Sequence, residues 1–159
     1  MRVNYLSNVS YLAKKYRIAI DKALEAREFD RDITFCRFPH GCCGDASDLL
    51  AQYLLFNGIK TYYVVGNHYF DDPEEGTQSH AWLLTEDDTI IDITGDQFVN
   101  NSTFLNYNVP VYIGLMDEFH ELFVVKERDV HENKGLEALG SGCLLRLHNL
   151  YCTINKYID

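Results

Sequence analysis

Two runs, Ser79-His80-Ala81-Trp82-Leu83-Leu84-Thr85 and Thr89-Ile90-Ile91-Asp92-Ile93-Thr94, flank the polar tripeptide Glu86-Asp87-Asp88. Both are rich in β-branched, aromatic and aliphatic residues, so together they predict an antiparallel hairpin. A three-residue turn pairs Thr85 with Thr89 and sets His80 opposite Thr94. Because side chains alternate with period two, His80 and Asp92 then share a face and lie diagonally across the strands, within reach once the hairpin twists. An acid among isoleucines needs a partner if it is buried, and an imidazole N–H suits it. Asp96, in Gly95-Asp96-Gln97-Phe98, has the same parity and competes for that role.

Upstream, Phe38-Pro39-His40-Gly41 predicts a tight loop, and Cys42-Cys43-Gly44-Asp45-Ala46-Ser47 leads into a run that ends at Phe56. Acid in the first turn and Asn57-Gly58 at the close mark this run as a helix starting near Cys43, with Leu49, Leu50, Tyr53 and Leu54 as its buried stripe. A thiol at that position is chemically special. The unpaired N–H groups and partial positive charge of a helix N-terminus favour the nucleophilic thiolate and can hold a developing oxyanion. Cys43 is better placed than Cys42, which falls in the preceding loop. The competing reading is that both are small buried hydrophobes.

The remaining pattern is that of an α+β protein. Apolar residues Val9, Leu12, Ala13, Tyr16, Ile20, Ala23 and Leu24 recur at helical steps, predicting an amphipathic helix over 7–28. Strands are predicted over 60–65, 109–114 and 122–126, and a helix over 141–157. The acidic stretch over 66–78 reads as a loop that is solvated or serves as a lid for a basic substrate. Cys143 and Cys152 are expected to pack within the last helix. His120 and His131, each beside acids, are expected at the surface. With no repeat, linker or low-complexity tract, residues 1–159 read as one domain, helices on one side and an antiparallel sheet on the other.

Composition narrows the function classes. The 159 residues carry 14 Lys and Arg against 24 Asp and Glu, a net charge of −10, which repels a phosphate backbone and argues against nucleic acid as a partner. Apolar runs stop far short of the roughly eighteen residues that span a bilayer. The first twenty residues hold no apolar core of signal-peptide length, and five cysteines do not make the even framework of a stapled secreted domain. A cytoplasmic location, or export by a signal-independent route, is the expectation. Zinc has candidate ligands in Cys36, His40, Cys42, Cys43, His68 and His80, but no C-x-x-C, H-E-x-x-H or H-x-E…P-C-x-x-C spacing, and neither metal nor cofactor is expected. Phosphate-binding, dinucleotide-binding and G-x-S-x-G motifs are missing too.

Cys43 at a helix start, His80-Ala81-Trp82 opening a strand and Asp92-Ile93-Thr94 on the next resemble the transglutaminase-like branch of the papain-like cysteine superfamily, over roughly Phe38 to Phe98. The resemblance implies that Cys43 is the nucleophile, His80 the general base and acid, and Asp92 the residue that orients the imidazole. It also implies amide hydrolysis or acyl transfer through a thioester, on a protein or peptide substrate, as in bacterial deamidases, proteases and effectors. Trp82 is then a shield beside His80 or simply core. The alternative is a binding or adaptor module that keeps this fold without catalysis.

Overall fold

The computed structural model describes residues 2–159, and these form an α+β fold of three helices and a five-stranded antiparallel sheet. The helices are α1 (Arg2–Glu25), α2 (Cys43–Phe56) and α3 (Ser141–Asn155). The strands are β1 (Tyr62–Tyr69), β2 (Thr77–Leu84), β3 (Ile90–Asp92), β4 (Tyr112–Gly114) and β5 (Val124–Glu132), in the order β4-β3-β2-β1-β5. No helix among the described residues is long and apolar enough to cross a membrane.

The sheet has two unlike faces, and alternation along the central strands assigns them. Leu83 and Ile91 join the helical core, where Val9, Ala13, Tyr16 and Ile20 of α1 meet Leu49, Leu50 and Leu54 of α2 and Leu147, Leu150 and Ile154 of α3. Trp82, Val64 and Ile90 point the other way, into an aromatic cluster with Phe98, Phe104, Phe119 and Phe123. That cluster comes largely from the segments joining β3, β4 and β5, so those connections make a third layer over the sheet rather than a surface loop.

The hairpin register is the one its turn predicts: Leu84 pairs with Ile90, Leu83 with Ile91, and the Thr85 N–H donates to the Thr89 carbonyl at 3.0 Å. Elsewhere the strand lengths depart from the local pattern: β3 and β4 are shorter than the expected 89–94 and 109–114, while β1 and β5 run on past their expected ends. β1 continues through Gly66-Asn67-His68-Tyr69, pairing residue for residue with β2 from Tyr62–Leu84 to Tyr69–Thr77, where a loop was expected from Gly66 on. Only a tip with a 3₁₀ turn at Pro73–Glu75 remains of that loop, its Asp72 side chain accepting the Glu74 N–H at 2.9 Å. Gly66, the first residue of the expected loop, sits within a bulge against β5, where a Cβ would lie 2.6 Å from the Phe123 Cβ. β5 likewise runs on past Lys126 to Glu132. Cys143 and Cys152 are exposed on α3, whose buried stripe is Leu147, Leu150 and Ile154, so neither is a packing residue.

Two arginines tie distant segments together. Arg17, on the buried face of α1, donates to both Asp96 oxygens at 2.9 and 2.8 Å and to the Ile93 and Pro110 carbonyls at 2.8 and 3.0 Å. Arg146 of α3 reaches Asp32 at 2.9 Å and Asp45, in the first turn of α2, at 2.8 Å.

Candidate active site

The site lies where the sheet opens. β2 is paired with β1 along its full length but with β3 only at Leu83 and Leu84. Beyond Asp92 the strands part, and the start of α2 comes up against β2 beside Ala81. The first intrahelical bond of α2 runs from the Ala46 N–H to the Cys42 carbonyl at 2.8 Å, and no side chain caps the helix. The N–H groups of Cys43, Gly44 and Asp45 therefore have no acceptor within the helix.

Cys43 and Cys42 have opposite surroundings. Cys42 is fully buried in the helical core with its thiol directed at the Thr34 and His40 carbonyls at 3.2 and 3.4 Å, and burial pushes the thiol up to about 12. Cys43 is half-buried and faces His80. Burial acts to raise its thiol as well, but the His80 imidazole and the Ala81 backbone N–H outweigh that and hold it below the ordinary range.

His80 is fully buried and wedged among Phe98, Phe119, Phe123 and Trp82, with ring centroids 5.3 to 5.7 Å away. Its Nε2 donates to Asp92 Oδ2 at 2.7 Å, the diagonal contact that the hairpin register predicts. That bond leaves Nδ1 as the nitrogen directed to the thiol. Burial disfavours charge on the ring, yet Asp92 and Cys43 together raise His80 to about 9. Asp92 itself is held well below the usual carboxylate range: burial acts to raise it, and His80 and His120 overcome that. Asp92 Oδ1 accepts the Thr94 N–H at 2.9 Å. The structure thus brings Cys43, His80 and Asp92 together, whereas Asp96 is taken up by Arg17.

Two further residues belong to the constellation. Gln97, on the 3₁₀ turn Gly95–Phe98, directs Nε2 to His80 Nδ1 at 3.3 Å and to the Thr94 carbonyl at 3.1 Å, while its Oε1 accepts the Gly41 N–H at 3.4 Å. His120 is not at the surface as expected but fully buried among Trp82, Tyr112 and Phe119, and its Nε2 lies 2.9 Å from Asp92 Oδ2. The acids beside it face outward, so charge in the immediate sequence misleads. The aromatic bracket Phe119…Phe123 was the one local sign that the segment is core. His131 is exposed, as expected. Gly95 keeps the site compact, since a Cβ there would stand 2.7 Å from the Tyr107 ring and 3.3 Å from Asp92 Oδ2.

Among the described residues, His80, Asp92 and His120 are the one group whose donor atoms gather as metal ligands would, within 4.8 Å of one another. The distances suit protons better. Ligand atoms about 2.0 Å from a tetrahedral zinc stand about 3.3 Å apart, whereas each Nε2 lies 2.7 or 2.9 Å from Oδ2, the length of a charge-assisted hydrogen bond. The six ligands considered from the sequence do not assemble.

Comparison of the chain with family models, with curated proteins and with solved structures gives no match.

Proposed function

We propose that this protein is a cysteine-dependent amide hydrolase or acyltransferase of the transglutaminase-like, papain-like kind, acting on a protein or peptide. The observation that carries this reading is the order of contacts at the opening of the sheet: a thiol at an uncapped helix start, an imidazole facing it, and a carboxylate on the far nitrogen of that imidazole. The thiol's proton passes to His80 Nδ1, and the Cys43 thiolate attacks the carbonyl carbon of the amide. A C–S bond forms and the carbonyl π electrons move onto oxygen. The Cys43 and Gly44 N–H groups, free of helical acceptors, can receive that oxyanion, and Gln97 Nε2, 3.3 Å from His80 Nδ1 and released once that nitrogen is protonated, supplies a side-chain donor. Collapse restores the C=O bond and breaks the C–N bond, and His80 gives its proton to the leaving amine. Water, deprotonated by His80, then cleaves the thioester to an acid and the free thiol; an amine in its place yields a new amide. Asp92 holds the imidazole in the required tautomer and balances its charge.

The test requires no knowledge of the substrate. The alkylation rate of each cysteine by iodoacetamide, read by peptide mass spectrometry across pH, is expected to single out Cys43 as reactive well below the ordinary thiol range of about 8.5. His80→Ala should slow it, while Cys42→Ala should leave it unchanged. A Cys43 that titrates like a free thiol in the parent sinks the catalytic reading and leaves a binding module.

A further inference from the structure

Asp92 serves two histidines at once, and through the same oxygen. His80 Nε2 and His120 Nε2 lie 2.7 and 2.9 Å from Oδ2, while Oδ1 is turned to the Thr94 N–H and hydroxyl at 2.9 and 3.4 Å. A carboxylate only accepts, so both Nε2 atoms carry hydrogen. The other ring nitrogen of His120 is also spoken for. Its Nδ1 lies 2.5 Å from Asp117 Oδ1, which takes the His120 backbone N–H at 2.8 Å as well, and Asp117 Oδ2 takes the Tyr107 hydroxyl at 3.0 Å. Two donors besides that ring, the His120 backbone N–H and the Tyr107 hydroxyl, converge on Asp117 as on an ionised acceptor, and a carboxylate that only accepts puts a hydrogen on His120 Nδ1 too. A ring with hydrogen on both nitrogens is an imidazolium. The remaining neighbours of His120, the rings of Trp82, Tyr107, Tyr112 and Phe119, bring no charge.

We infer that His120 is a cationic positioning residue that limits the grip of Asp92 on the His80 proton. A buried carboxylate strengthens its histidine partner's hold on the proton, and general acids work best near the operating pH. A second positive ring on the same oxygen opposes this. With centroids 6.3 Å apart and an effective dielectric near 20, unit charges on the two rings repel by the equivalent of about two pH units. Asp117 supplies a counter-charge on the far side of His120, and its side chain is 23% exposed, so the chain Cys43–His80–Asp92–His120–Asp117 meets solvent at that end as well as at the half-buried Cys43. The catalytic consequence, faster proton delivery to the leaving amine, rests on the function proposed above; the charge assignment does not.

The experiment is an NMR titration of the His80 ring in the parent and in His120→Gln, whose side-chain amide can still donate to Asp92 but carries no charge. The His80 midpoint is expected to rise by about one to two pH units, so that at pH 10 the variant keeps a proton that the parent has lost. An unchanged or lowered midpoint overturns the inference. A second measurement needs no variant: in the ¹⁵N-labelled parent at pH 7, both ring nitrogens of His120 should show the protonated shift, and the split signature of a neutral tautomer overturns the assignment. Inertness of Cys43 towards iodoacetamide and acyl donors would remove the proposed function while leaving both of these results intact.

Discussion

Asp92→Asn is the sharpest perturbation of the site, because the side chain keeps its shape and changes only what it can accept. Asp92 Oδ2 takes two ring N–H donors and Oδ1 takes the Thr94 N–H. An amide has one oxygen. If that oxygen stays on Thr94, the NH₂ faces His80 Nε2, which must become the acceptor; the ring hydrogen moves to Nδ1, and Cys43 meets an N–H where it needs a lone pair. If the oxygen turns to the rings, the NH₂ opposes the Thr94 N–H and leaves a buried donor unsatisfied, at about 1–3 kcal/mol. In both arrangements the negative charge is gone. Cys43 then loses the imidazolium that favours its thiolate and reverts at least to the ordinary thiol range of about 8.5, which leaves roughly one thirtieth ionised at pH 7. The expected result is a loss of Cys43 alkylation at pH 7, reaching about thirtyfold if the parent thiolate is fully formed there and narrowing as the pH approaches that range. Amide turnover, which also needs the tautomer, should fall by about 10⁴. Asp96→Asn is the control: it breaks the bidentate pair with Arg17 and should lower stability while leaving alkylation at the parent rate. Full-rate alkylation in Asp92→Asn, or an equal loss in Asp96→Asn, would refute the assignment.

Gln97→Met keeps side-chain length without an N–H donor; acylation of Cys43 by p-nitrophenyl acetate, which passes through an oxyanion, should fall by about 10²–10³ while alkylation by iodoacetamide, which does not, stays within about twofold. Parallel loss in both reactions would assign Gln97 to the thiolate instead. The pH profiles should separate the two members of the pair: with Cys43 lowered, alkylation is already fast below the ordinary thiol range and continues at high pH, whereas amide turnover falls as His80 loses its proton at about 9. Turnover that keeps rising through pH 10 would contradict His80 as the acid. Gly66→Ala forces a Cβ to within 2.6 Å of the Phe123 Cβ, also in contact with Trp82, and should cost about 1–3 kcal/mol in denaturant unfolding; an unchanged midpoint would mean that the bulge relaxes freely.

Most of the local architecture is legible in the chain. The stripe of α1, the ends of α2, the 84–90 pairing and the face shared by His80 and Asp92 follow from periodicity, turn chemistry and the alternation of a strand, all of which act over a few residues. The failures are non-local. β1 runs on through Gly66 because β2 offers a paired partner down to Thr77, and β5 reaches Glu132 because Tyr62 and Tyr63 pair with its far end. Neither partner is visible from the strand's own composition.

The choice within each ambiguous pair belongs to the tertiary structure as well. Cys42 and Cys43 are adjacent and chemically identical; what separates them is that one side chain enters the helical core and the other meets His80. Asp92 and Asp96 share parity, and a single arginine from α1, 79 residues away, takes Asp96 out of contention. His120 reaches Asp92 across 28 residues of connecting chain that fold back over the sheet as a third layer. By itself the sequence determined the secondary elements and the strand face on which a histidine and a carboxylate meet, because those depend on spacing. The second histidine, the bound state of Asp96 and the opening of the sheet beside Ala81 depend on which distant segments pack together, and only the folded chain decided them.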